Sequence, residues 1–136
     1  MNLMNKEPLG QKLRSMRGST EERQYNKWLH SWQTCCLSGR ADIELAHTGT
    51  LAEGKGTSRK AALWTTLPLS KPLHQAEERN RAGFWDCAGF PYPKHIHWAE
   101  RLYDHFTKGE APDALFADMQ ARADRDFLEQ ILRGAV

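Results

Sequence analysis

The chain lacks any apolar run approaching the roughly 20 residues that cross a bilayer as a helix, so no membrane role is expected. It lacks an apolar stretch between Met1 and Lys12, so no secretory signal is read there and a cytoplasmic location is the expectation. Cysteine is scarce. Cys35, Cys36 and Cys87 cannot close a disulfide framework, fit a reducing compartment, and include no Cys-x-x-Cys pair. An excess of one sign of charge is also lacking: the net value is +2, so global attraction to nucleic acid is weak. No internal repeat or low-complexity tract is present. What remains is a chain of 136 residues, 40% of them hydrophobic, which is enough to bury one core without staples.

The charges that are present are unevenly spread. Lys6, Lys12, Arg14, Arg17, Arg23, Lys27 and Arg40 make the front basic, and six carboxylates from Glu110 to Glu129 make the tail acidic. A basic front can meet phosphates; a plain solvated surface is the equal alternative. Five tryptophans favour core packing over base stacking.

Periodicity divides the chain into a polar segment over 1–18, a main domain over 19–109 and a C-terminal helix over 110–136. Ser19 with Glu22 makes a capping box. Tyr25, Trp28, Leu29 and Trp32 come next at i, i+3, i+4, i+7, the stripe of an amphipathic helix. Ser38-Gly39-Arg40 is a turn. Ile43, Leu45 and His47 alternate with Asp42, Glu44 and Ala46, as in a short strand. The glycine-rich stretch from Thr48 to Arg59 is a loop. Ala61 to Leu69 suits a second strand, shortened by Pro68. A helix is expected from about Leu73 to Ala82-Gly83, then turns from Cys87 to Lys94. Another helix carries Trp98, Leu102 and Phe106 and stops at Lys108-Gly109. Asp113 should cap one long final helix that runs to Gly134. The expected class is α+β, mostly helical, around a small hairpin and helix.

Chemistry concentrates on that hairpin and helix. Imidazole titrates near neutrality, which suits a general base, and His47 ends the first strand. His74 and Glu78 stand at i and i+4 of the next helix, one turn apart on one face. Imidazole plus carboxylate suits Mg²⁺, Mn²⁺ or Zn²⁺. Glu77 replaces Glu78 if the helix is phased differently. His95 or His97 is a candidate third ligand. Lys55, Arg59 and Lys60 in the loop are candidates for phosphate contact. The plainer alternatives are a polar strand end at His47 and a solvated helix face at His74 and Glu78. His30 and His105 read as structural.

The order of these residues resembles the HNH, or ββα-metal, endonucleases, and in particular small phage and prophage members linked to recombination. The likeness runs from about Tyr25 to Phe106. Tyr25-Asn26-Lys27-Trp28-Leu29 before Cys35 resembles the helix that enters the family's first metal knuckle. Glu44-Leu45-Ala46-His47 resembles the strand with its catalytic histidine. Leu67-Pro68-Leu69 before His74 resembles its Pro-Leu-Cys-x-x-His segment. Gly83-Phe84-Trp85 and Trp98-Ala99-Glu100-Arg101-Leu102 resemble the family's continuation beyond its metal-binding helix. The resemblance implies a divalent metal at the active site, DNA as substrate, and a recombination or host-defence protein as a further class of partner.

The chain departs from the family pattern at several ligand positions. Cys35-Cys36-Leu37-Ser38 and Ser70-Lys71-Pro72-Leu73 keep one of four knuckle cysteines, so no structural zinc is expected. Ala46 stands where a metal ligand often precedes the catalytic histidine. Leu63 and Trp64 stand where a polar residue is expected on the second strand. A second reading therefore accompanies the nuclease: a catalytically inactive derivative that binds a protein or DNA, such as a phage inhibitor or a recombination accessory factor.

Overall fold

The computed structural model describes residues 20–49 and 63–134. Its elements are α1 (Thr20–Trp32), β1 (Ile43–His47), β2 (Thr66–Ser70), α2 (Lys71–Arg79), α3 (Arg81–Ala88), α4 (Ile96–Lys108), α5 (Asp113–Arg122) and α6 (Arg125–Leu132). The fold is α+β and mostly helical, with one two-stranded antiparallel sheet among the described residues. No helix among them is long and apolar enough to cross a membrane.

One hydrophobic core draws on every helix. Tyr25 and Leu29 of α1, Leu67 and Leu69 of β2, Leu73 of α2, Trp85 of α3, Leu102 of α4, Met119 of α5 and Ile131 of α6 all belong to it. The apolar stripe of α1 packs edge-on and tilted against α4: Tyr25 lies 5.0 Å from the rings of both Tyr103 and Phe106. Tyr103 also donates its hydroxyl to Glu21.

β1 and β2 pair from Ile43 with Ser70 to His47 with Thr66. Pro68 lies inside β2 without losing a ladder bond. Its carbonyl turns away from β1 to accept from Cys36 N–H at 3.0 Å, and its ring nitrogen points the same way. β2 is shorter than the expected Ala61–Leu69, because Leu63 and Trp64 are in a helical turn before it. α2 begins directly at Lys71 with proline in its first turn, where the missing N–H has no partner to lose.

Two expected helices break. Ala82-Gly83 does not end a helix: α2 stops at Arg79, and Asn80 caps α3 by accepting from Gly83 N–H at 3.1 Å. A Cβ on Gly83 would meet Asn80 Nδ2 at 2.5 Å, so glycine makes room for the cap. Gly89, at φ +101°, is the residue that ends α3. The single helix expected from Asp113 to Gly134 is two, because Asp124 leaves the helical region and caps α6 through Phe127 N–H at 3.1 Å. Asp113 is the first residue of α5 rather than its cap.

The Cys35–Arg40 turn is held by the backbone. Cys35 N–H donates to Arg40 O at 2.8 Å, Gly39 N–H to Cys35 O at 2.9 Å, and Ser38 N–H to Cys35 Sγ at 3.3 Å. Cys35, Cys36 and Leu37 are all buried there.

Candidate active site

Strand pairing sorts the hairpin side chains onto two faces. Glu44 and Ala46 share a face with Leu67 and Leu69, and this face meets α2, where Glu44 touches His74. Ile43, Leu45 and His47 share the other face with Thr66, Pro68 and Ser70.

His47 is exposed at the end of β1, directly opposite Thr66. Its Nδ1 lies 2.9 Å from Thr66 Oγ1. In the tautomer that donates from Nδ1 to the hydroxyl, Nε2 keeps its lone pair and faces outward. Thr66 is the polar residue of β2 that pairs with His47, and Leu63 and Trp64 precede the strand. The signal for it was β2's own alternation, hidden by reading the strand too early.

His74 is also held by one ring nitrogen. Its Nδ1 lies 2.8 Å from Glu44 Oε1, a length suited to a charge-assisted hydrogen bond. Nε2 then faces Glu78 Oε2 at 3.5 Å, too long for a strong hydrogen bond. A lone pair and a carboxylate oxygen facing each other need a cation between them. Two ligands about 2.1 Å from one ion at a tetrahedral angle would stand roughly 3.4 Å apart, so the spacing fits a divalent ion as well as a proton. Glu44 would act as the outer carboxylate that fixes such a histidine's tautomer. Sequence reading missed Glu44, although its place two residues before Ala46 puts it on the strand face that meets α2.

Among the described residues, no group of three or more His, Cys, Asp or Glu side chains is arranged to hold a metal ion. Ala46 is fully buried beside this pair and supplies no ligand. A bound ion would take His74 and Glu78 from the protein and complete its shell with water or substrate oxygens.

Glu77 has a different role. It is fully buried and accepts from Arg81 Nε at 2.7 Å and from Trp85 Nε1 at 3.1 Å. Arg81 also donates to Gly49 O at 2.5 Å. His95 is buried between the rings of Trp85 and Tyr92, both within 13° of parallel, with Nε2 2.9 Å from Thr48 O. Thr48 hydroxyl donates to Thr65 O at 2.7 Å. These bonds pin the two residues immediately after His47. His95 therefore supports the strand end and does not approach His74, and exposed His97 pairs with Glu100 at 3.4 Å. Lys55, Arg59 and Lys60 lie outside the described residues.

No protein-family model, curated protein or solved structure matches the chain. The functional reading therefore rests on this geometry and on the residue pattern alone.

Proposed function

We propose that the chain is a metal-dependent endonuclease of the HNH type, of phage or prophage origin, that hydrolyses DNA phosphodiester bonds. The observation that carries this reading is the tethering of one ring nitrogen on each of two histidines, His47 on one face of the hairpin and His74 against the other. Thr66 holds Nδ1 of His47 and Glu44 holds Nδ1 of His74, which leaves each Nε2 directed away from its tether. His47 Nε2 would take the proton of the attacking water. His74 and Glu78 would hold the divalent ion, which would offset charge on the scissile phosphate and leaving oxygen. The bonds to Thr48 and Gly49 from His95 and Arg81 keep the strand end in place while His47 gains and loses its proton.

The test is plasmid cleavage with Mg²⁺, Mn²⁺ or Zn²⁺. The His47→Ala protein should lose about a hundredfold or more in rate, the usual contribution of a positioned base. Undiminished cleavage by folded His47→Ala would remove the mechanism.

One observation favours a second reading, a non-catalytic derivative that binds protein or DNA. With a proton on Nε2, His74 would bridge Glu44 and Glu78 as a closed charge triad, and Ala46 would leave no gap to fill. A folded wild type that neither cleaves DNA with any of these metals nor binds metal through His74 would favour it.

A further inference from the structure

Away from the His47 end of the hairpin, a cavity of about 260 Å³ lies between the Cys35–Arg40 turn and α6. Three arginines line it: Arg40 from the turn, Arg125 from the first turn of α6, and Arg133 just beyond that helix. Leu132 gives it a half-buried apolar side, and Leu128 also borders it but is itself buried. Glu129 is the one carboxylate in the lining, and it lies 3.6 Å from Arg133. Arg40 and Arg125 have no ion-pair partner among the described residues, so the cavity holds an excess of positive charge.

The backbones beneath two of these arginines are fixed. Arg40 O accepts from Cys35 N–H at 2.8 Å, and Arg40 N–H donates to Ser38 Oγ at 3.3 Å. Arg125 comes directly after the Asp124 cap. Like charges converging on one cavity repel until an anion joins them. A guanidinium fork pairs bidentately with carboxylate or phosphate, but a terminal phosphate has one more oxygen to share among several arginines. A bare phosphate would leave the exposed part of Leu132 uncovered. The volume is just below that of pockets for drug-sized ligands, which start at about 300 Å³.

We propose that this cavity binds a phosphate group carried on a nucleoside, either as a free nucleotide or within a DNA strand. The proposal does not depend on the nuclease reading. It is tested by calorimetric titration in EDTA at low salt, where no metal-dependent turnover occurs. The probes are deoxyadenosine monophosphate, deoxyadenosine, inorganic phosphate, and a short single-stranded oligonucleotide with and without a 5′-phosphate. The monophosphate should bind and deoxyadenosine should not. Arg40→Gln with Arg125→Gln should weaken the monophosphate about tenfold or more, since two charge-assisted bonds are lost. Lys27→Gln, an exposed residue of α1 outside the cavity lining, should leave binding within about twofold, because a surface charge that does not touch the ligand is screened. All the substituted side chains are exposed, and circular dichroism confirms that each variant is folded. Oligonucleotide binding that needs the 5′-phosphate would assign a strand end, and binding without it would assign the backbone. Binding of the monophosphate alone would assign the free nucleotide. Equal affinity for inorganic phosphate and the monophosphate would overturn the nucleoside part. No binding of any phosphate probe, or affinity untouched by the double substitution, would overturn the proposal as a whole.

Discussion

Glu77 and Glu78 are adjacent in sequence and occupy opposite environments. Glu77 has no exposed side-chain surface and is fixed by Arg81 and Trp85, whereas the Glu78 side chain is 61% exposed and faces His74 across a gap. The same division separates His95, stacked between two rings, from solvent-facing His97, and buried Cys36 from exposed Cys87. Residue type states what chemistry a side chain can do. Its phase on the helix, or its side of a turn, decides whether that chemistry is spent inside the fold or left available to a ligand.

The sharpest way to break this comparison is to remove each glutamate. Glu77→Ala strands a partly buried guanidinium and a buried indole N–H, and should cost about 3–5 kcal/mol in urea unfolding, the usual range for half of a buried pair. Glu78→Ala removes an exposed carboxylate and should stay within about 0.5 kcal/mol. Similar losses from the two would mean that α2 is phased differently from the contacts described. The reverse should hold for metal affinity: the folded Glu78→Ala protein should lose it, and so should Glu44→Gln by about tenfold or more through the orientation of His74.

The histidines give a smaller contrast. His95→Ala opens a cavity between Trp85 and Tyr92 and frees Thr48 O, so a loss of about 2–4 kcal/mol is expected by analogy with ring truncation in cores. His97→Ala should change stability little, since its partner Glu100 is exposed and such pairs contribute about 0–1 kcal/mol. A His95→Ala protein as stable as wild type would show that Arg81 and the Thr48–Thr65 bonds hold the strand end without it.

Much of this arrangement was legible in the sequence. The stripe of α1, the place of β1 and the Gly109 stop of α4 depend on local periodicity and caps, and each appears where those signals stand, although burial along β1 does not alternate and its one buried residue is Ala46. The strand was expected over Ala61–Leu69 and α2 from about Leu73, because Pro68 and Pro72 seemed to end one and delay the other; β2 covers Thr66–Ser70 and α2 begins at Lys71. In the fold, Pro68 turns its unbonded side to Cys36 instead. Gly83 misled for a related reason. Glycine near a helix end suggests a stop, but here it clears space for the Asn80 side chain, a contact between residues that periodicity does not report. At the candidate site, the i, i+4 pair was visible from helical geometry. Glu44 was not, because its role depends on which face of β1 meets α2, and that is set by the packing of the whole core. The burial of His95 likewise depends on α3 and the turn before α4 meeting at Trp85.

The cysteines give the finest contrast, and it depends on pH. Burial, and then the neighbouring Cys35 thiol, push the Cys36 thiol well above its ordinary range, against a smaller opposing effect from a backbone hydrogen bond. The unfolded chain releases that proton at about pH 8.5–9, and the folded chain keeps it. Above that pH the folded state binds more protons than the unfolded state, so stability falls as pH rises, by up to about 1.4 kcal/mol per pH unit for this one group. Below pH 8 both states hold the proton and the effect vanishes. Unfolding free energies measured between pH 7 and pH 10.5 should therefore fall less steeply at the alkaline end for Cys36→Ala than for wild type, whatever the cavity costs at neutral pH. At pH 8, iodoacetamide should label Cys87 promptly and Cys36 only as fast as the chain opens. Equal labelling of the two would mean that the Cys35–Arg40 turn opens freely in the folded protein, and the turn would then belong with the exposed side of the comparison.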